Sequence, residues 1–167
     1  MQRRVMKELF EQLPKSSVYQ KNVVLIDTCF FIDMFRNDKR KEFASFCDQH
    51  TVAFTSFNVE EFLYNIHQFS PQIKDGVRKF LKQQPNLNIL QIPLMPGNRK
   101  EEEDFIKSVE PALLKLIPDP SDAVLMAVAI LTHATILTKD KHHLFTTKLE
   151  NYLQQYGLRV HKELRDV

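Results

Sequence analysis

The sequence predicts an α/β protein, a three-layer α/β/α sandwich around a mostly parallel central sheet, and three observations lead there. Val23-Val24-Leu25-Ile26 is a continuous, β-branched-rich apolar run, the mark of a central strand covered on both faces. Similar short runs recur along the chain, separated by longer segments whose apolar residues fall at helical spacing. The length of 167 residues suits one substantial core and leaves little room for a second domain.

Taken in order, Val5, Leu9, Phe10 and Leu13 form a helical stripe before Pro14 and predict a short amphipathic N-terminal helix. The strand at 23–26 ends on Asp27, and Thr28 to Phe35 begins a helix. Phe43, Phe46 and Cys47 predict a further helix over Lys39 to Asp48, followed by a strand at Val52-Ala53-Phe54-Thr55. From Asn58 the stripe Val59, Phe62, Leu63, Ile66 and Phe69 predicts another helix, and Ile73, Val77, Phe80 and Leu81 repeat the pattern after Pro71. Leu87 to Ile92 is expected as a strand, Asn98 to Asp104 as a solvated charged segment leading into a helix broken at Pro111. Asp119-Pro120-Ser121-Asp122 opens a buried helix to Thr132, and Thr135-Ile136-Leu137-Thr138 is a strand running to Asp140. Phe145, Leu149, Tyr152, Leu153 and Tyr156 predict a last helix stopped by Gly157, with an edge strand at Leu158 to Val160.

Composition narrows the chemistry. Lys plus Arg total 23 against 21 Asp plus Glu, so the charge is nearly balanced and no general polyanion binder is announced. Three glycines against thirteen phenylalanines exclude both G-x-G-x-x-G and Walker phosphate loops. Cys29 and Cys47 form neither a disulfide scaffold nor a C-x-x-C zinc pair, so a reducing cytoplasm is the expected compartment. The charged start Met1-Gln2-Arg3-Arg4 is unlike a signal peptide, and the longest apolar run, Ala123 to Leu131, is too short to span a membrane.

Carboxylates fall at telling places. Asp27 and Asp140 follow strands, where open α/β sheets bind ligands beyond the strand C-termini. Glu61 and Asp122 sit in the first turns of helices. Each has an ordinary explanation: Asn58 with Glu61 and Asp119 with Asp122 match the N-cap and N3 positions of a capping box, Asp27 caps the helix from Thr28, and Asp140 makes a turn. Those roles do not account for all four gathering at one sheet edge. Carboxylates so gathered repel unless protons or cations compensate them, and hard divalent ions such as Mg²⁺ or Mn²⁺ favour oxygen ligands. Metal-assisted hydrolysis of a phosphodiester is the reaction class that follows.

Asp27-Thr28-Cys29-Phe30-Phe31-Ile32-Asp33, Thr55-Ser56 leading to Glu61-Phe62, Asp122-Ala123-Val124-Leu125-Met126-Ala127 and Thr138-Lys139-Asp140 together resemble the PIN-domain family, in particular VapC-like ribonucleases. The resemblance runs from Val23 to Val160. It implies a Mg²⁺- or Mn²⁺-dependent ribonuclease in which Asp27, Glu61, Asp122 and Asp140 hold the metal and its water, with Thr138 in support. On this reading residues 1–20 are an N-terminal helical extension and 21–167 a PIN-like nuclease domain. RNA is the expected partner, and the resemblance adds an antitoxin protein and a homodimer for a toxin of this type. Two features depart from the pattern: some twenty residues precede the first strand, and Lys141-His142-His143 stand where a second acid often follows. Periodicity places Glu60 nearer the apolar stripe than Glu61, so choosing Glu61 rests on the family pattern and the Asn58 cap.

His142 and His143 fit a solvated or phosphate-facing loop better than a ligand pair, since adjacent side chains diverge. His50, His67, His133 and His161 have no spaced partner. Cys29, just after an apolar strand, reads as a small buried thiol. Most phenylalanines sit on stripes that need burying, with Phe57 the candidate for stacking on an unpaired base. Basic residues at 36–41, at 78–82 and at Lys139, Lys141 and Lys148 would attract a phosphate backbone if they rim the acids. Competing readings are an RNA-processing or turnover nuclease that is not a toxin, a catalytically silent PIN-like module binding RNA or protein, and a phosphotransfer domain. The filled acidic positions argue against the silent module, and the lack of D-x-D at Asp27-Thr28-Cys29 argues against phosphotransfer.

Overall fold

Period-two alternation along fully buried strands decides the layering. In the computed structural model, which describes residues 2–139 and 147–167, β2 (Val24–Ile26) and β3 (Val52–Thr55) are buried along their whole length. Val24, Ile26, Val52 and Phe54 point into one hydrophobic cluster, Leu25 and Ala53 into another on the opposite face. Helices α1 (Gln2–Glu11), α2 (Thr28–Arg36), α3 (Arg40–Gln49), α4 (Ser56–Tyr64) and α5 (Pro71–Lys82) supply the first cluster. The second is filled from α6 (Arg99–Val109), the short α7 (Leu113–Leu116), α8 (Pro120–Thr132) and α9 (Thr147–Gln154). The fold is therefore the expected α/β sandwich.

Phenylalanine dominates the first cluster for a geometric reason. The Phe31 ring stacks on Phe54 at 4.8 Å between centroids and meets Phe35, Phe43, Phe62 and Phe80 edge to face and Phe10 at a tilt, so rings from five helices and one strand interlock around it. Met6 and Phe10 of α1 and the following Leu13 are buried in the same cluster.

With β1 (Lys15–Ser17), β4 (Leu87–Gln91), β5 (Thr135–Leu137) and β6 (Arg159–His161), the described strands form a six-stranded sheet in the order β1-β4-β3-β2-β5-β6, every pair parallel. From β2 the chain steps outward through β3 to β4, then returns to the other side of β2 for β5 and β6. The order reverses between β2 and β5. At such a reversal the connections leave on opposite faces of the sheet, opening a crevice beyond the strand C-termini.

Several local expectations are corrected. β1 went unseen because Lys15-Ser16-Ser17 is a polar edge strand with only one half-buried residue, recognisable through its pairing with β4 and not through its pattern. The helix expected from Asn58 to Phe69 starts at Ser56, ends at Tyr64 and gives way to a 3₁₀ turn at Ile66–Gln68. Its N-cap is Thr55, whose hydroxyl accepts from the Asn58 N–H at 2.9 Å, so Asn58 is not the cap. The charged stretch 98–104 is not simply solvated: it forms the start of α6, and Glu102 is buried there. Phe57, the candidate for base stacking, is 1% exposed, whereas Cys29, expected to be buried, is exposed. Asp119 does cap α8, accepting from the Ser121 N–H at 3.0 Å ahead of Pro120 at N1.

Candidate active site

Asp27 follows β2 directly and Thr138 follows β5, so the sheet's reversal sets them side by side. The Asp27 N–H donates to the Leu137 carbonyl at 3.2 Å and the Thr138 N–H to the His161 carbonyl at 3.0 Å, extending the strand pairing to both residues. The Asp27 carboxylate is held at both oxygens: Oδ1 accepts from the Phe30 N–H at 2.7 Å as the cap of α2, and Oδ2 accepts from the Thr138 hydroxyl. It is 7% exposed, and Thr138 is fully buried.

Glu61 reaches the same crevice from α4. A chain of polar side chains positions it. The Thr55 hydroxyl donates to Asn58 Oδ1 at 2.6 Å, and Asn58 Nδ2 donates to Glu61 Oε1 and to Thr28 Oγ1, both at 3.0 Å. The Thr28 hydroxyl in turn donates to Glu61 Oε1 at 3.3 Å. Asn58 is thus a buried strut aiming the carboxylate, a role sequence reading missed by assigning it the cap. The available signal was its i, i+3 spacing to Glu61 on one helix face.

Asp122 stands at the third position of α8, and with Asp27, Thr28, Cys29, Asn58, Glu61, Ser121 and Leu125 it lines a narrow cleft of about 70 Å³. Ser121 donates to Glu102 Oε1 at 2.7 Å, so the buried Glu102 anchors the start of α8 beside the cleft. Glu102 was also missed, since a charged helical turn gives no sign of which acid faces inward. Glu60 turns away: it pairs with Arg3 at 3.8 Å, while Glu61 faces Asp27 and Asp122. Lys139, next to Thr138, donates to Glu163 Oε1 at 2.8 Å, lies 3.9 Å from Asp33 and sits over the Phe30 ring. Three of the four expected acids therefore share one cleft. Asp140, with Lys141, His142 and His143, lies outside the described residues.

The cleft's electrostatics follow from burial first and from crowding of the acids second. Burial pushes the Glu61 carboxyl up to about 7, Asp122 and Asp27 adding to the rise while the bonds from Asn58 and Thr28 oppose it. A divalent cation would relieve that strain, and the donor set of hard carboxylate oxygens suits Mg²⁺ or Mn²⁺. Among the described residues, no group of three or more His, Cys, Asp or Glu side chains is arranged closely enough to hold a metal ion. The cleft is acidic without being a closed chelate.

A family model for the PIN domain matches residues 24–147, most of the chain and the span holding all four acids. The chain belongs to the PIN-domain family. PIN domains are typically nucleases and generally use divalent metal ions, which agrees with an acidic crevice at the sheet's reversal. A comparison with curated proteins finds no match. No helix among the described residues of this PIN domain is long and apolar enough to cross a membrane.

Proposed function

We propose that this PIN domain is a Mg²⁺- or Mn²⁺-dependent endoribonuclease that hydrolyses RNA phosphodiester bonds in the Asp27–Glu61–Asp122 cleft, with Asp140 as the fourth acid. The observation that carries the proposal is the meeting of three carboxylates, distant in the chain, in one cleft at the switch point of the sheet. Asp27, Glu61, Asp122 and Asp140 would hold the cation. When bound, it supplies charge neutralisation for the approaching phosphate and acidifies water to serve as nucleophile.

The protein's own part is positional. Thr138 and the Phe30 N–H fix the Asp27 carboxylate in one orientation, and Asn58 and Thr28 do the same for Glu61 through Oε1. Such rigid presentation places the acids before substrate arrives, so no reorganisation opposes the reaction. Uncompensated, the same carboxylates would repel an RNA backbone.

Calorimetric titration with Mn²⁺ tests the metal-binding step separately from turnover. Wild type should bind, and Asp122→Asn should bind at least about tenfold more weakly, as expected for loss of a charged ligand. Equal affinity in the two proteins would remove Asp122 from the site. The toxin role is carried by the VapC-like resemblance alone. If it applies, expression should arrest growth with the wild type and not with Asp27→Asn. Unimpeded growth under conditions where purified enzyme cleaves RNA would instead favour a processing or turnover nuclease.

A further inference from the structure

Beside the acid cleft, and sharing Glu61 with it, runs a second groove of about 370 Å³ lined by Arg3, Glu60, Glu61, Tyr64, Asn65 and Met95 with the Pro96-Gly97 turn. Its volume lies in the range of small-ligand sites. Two of the protein's exposed large apolar side chains meet there, Tyr64 at 72% and Met95 at 56% exposed. Tyr64 lies three residues after Glu61 on α4, so helical geometry puts ring and carboxylate on adjoining patches of surface. Met95 is presented by the turn after β4, where Gly97 takes a φ of +97° that a side chain would rarely adopt. The Asn65 side chain donates to the Glu61 carbonyl at 3.1 Å and ties down the end of the helix.

We propose that this groove is a nucleobase subsite, in which a base flanking the scissile phosphate of single-stranded RNA stacks on Tyr64 against Met95 while Arg3 meets the adjoining phosphate. The inference rests on the ribonuclease reading for the identity of the strand in the cleft. Continuity through Glu61 is what selects the occupant: whatever chain passes the acids must run on into this groove or turn away. Aromatic faces stack on any base, and thioethers adapt to varied ring shapes. Arg3 is 57% exposed in its side chain, and its 3.8 Å pair with Glu60 is a weak surface contact that a phosphate can replace. Arg3 belongs to α1, so the N-terminal helix gains a place in substrate binding.

The test is fluorescence anisotropy with a labelled single-stranded RNA of about ten nucleotides, within the footprint of such grooves, in Ca²⁺ so that binding is read without turnover. Tyr64→Ala should weaken binding about tenfold and Tyr64→Phe should restore it, because the ring and not the hydroxyl makes the stack. Tyr19→Ala, which removes another exposed tyrosine, should bind as wild type does. For an abasic strand of equal length the Tyr64→Ala effect should vanish. Equal RNA affinity in Tyr64→Ala and wild type, or an undiminished effect on the abasic strand, would overturn the subsite, as would a wild type that binds no RNA. A groove that serves a protein partner would give the first of these results. Cleavage in Mn²⁺ is measured alongside: if Tyr64→Ala loses affinity while wild type cleaves nothing, base binding in the groove stands and the nuclease reading falls.

Discussion

Asp27→Asn is expected to lower Mn²⁺-dependent RNA cleavage by at least about 10³-fold, roughly 4 kcal/mol of transition-state stabilisation, while leaving the fold intact. The two halves of this expectation have separate causes. Asparagine is as good an N-cap as aspartate, and its side-chain oxygen can still accept from the Phe30 N–H, so α2 keeps its first turn. The Thr138 hydroxyl, now facing an amide, can rotate to accept instead of donate. What disappears is the negative charge at the end of β2, and with it the neutralising role that a bound cation requires. Single-turnover cleavage of a labelled RNA, with circular dichroism and thermal unfolding on the same samples, separates the effects. Retained cleavage with an unchanged melting curve would sink the proposed site; lost cleavage with a collapsed melting curve would mean the capping role dominates.

Glu61 gives the second large effect, on stability in the absence of metal. Its carboxyl titrates near 7 in the folded protein and near the ordinary 4.5 once unfolded. Below that lower value both states hold the proton and Glu61 contributes its full stability. As pH rises through the window between the two values, the unfolded chain releases its proton first, and the equilibrium shifts toward unfolding. Above about 7 the loss is complete and amounts to up to about 3 kcal/mol. Glu61→Gln keeps acceptor Oε1 for Asn58 and Thr28 but has no proton to lose. In EDTA at pH 8 it should therefore be more stable than wild type by about that amount, with the difference fading toward pH 5. Urea denaturation of both proteins at the two pH values checks this. Millimolar Mn²⁺ at pH 8 should then stabilise wild type more than the variant, since binding to the native state alone raises stability by mass action. A variant no more stable than wild type at pH 8 would show that burial in the cleft does not penalise the charged Glu61 carboxylate.

These expectations join the two levels on which the chain is organised. The local pattern was legible wherever physics acts on neighbouring residues. Continuous apolar runs at 24–26 and 52–55 identified buried parallel strands, and the stripe at 73–81 and the apolar run from Ala123 identified helices, while Asp27, directly after the first of those strands, lines the cleft. Burial on both faces leaves no room for polar alternation, so such runs are readable one segment at a time. The PIN-domain family was legible for the same reason, because the segments that carry the resemblance are short and local.

Tertiary structure decided what depends on partners far along the chain. β1 exists because β4 offers an edge, since the three polar residues carry no strand pattern of their own. Glu60 and Glu61 are neighbours with equal chemistry, and only the packing of α1 against α4 gives one to Arg3 and the other to the cleft. Asn58 became a strut because Thr55 took the cap and Thr28 came within reach across the sheet's end. Phe57 went inside and Tyr64 stayed out through the turn of one helix against its neighbours. Sequence alone determined which side chains carry charge and which segments must bury themselves. The three-dimensional arrangement of α2, α4 and α8 around the β2–β5 crevice selected which of those charges face one another, because electrostatic coupling depends on distance through space and not on separation along the chain.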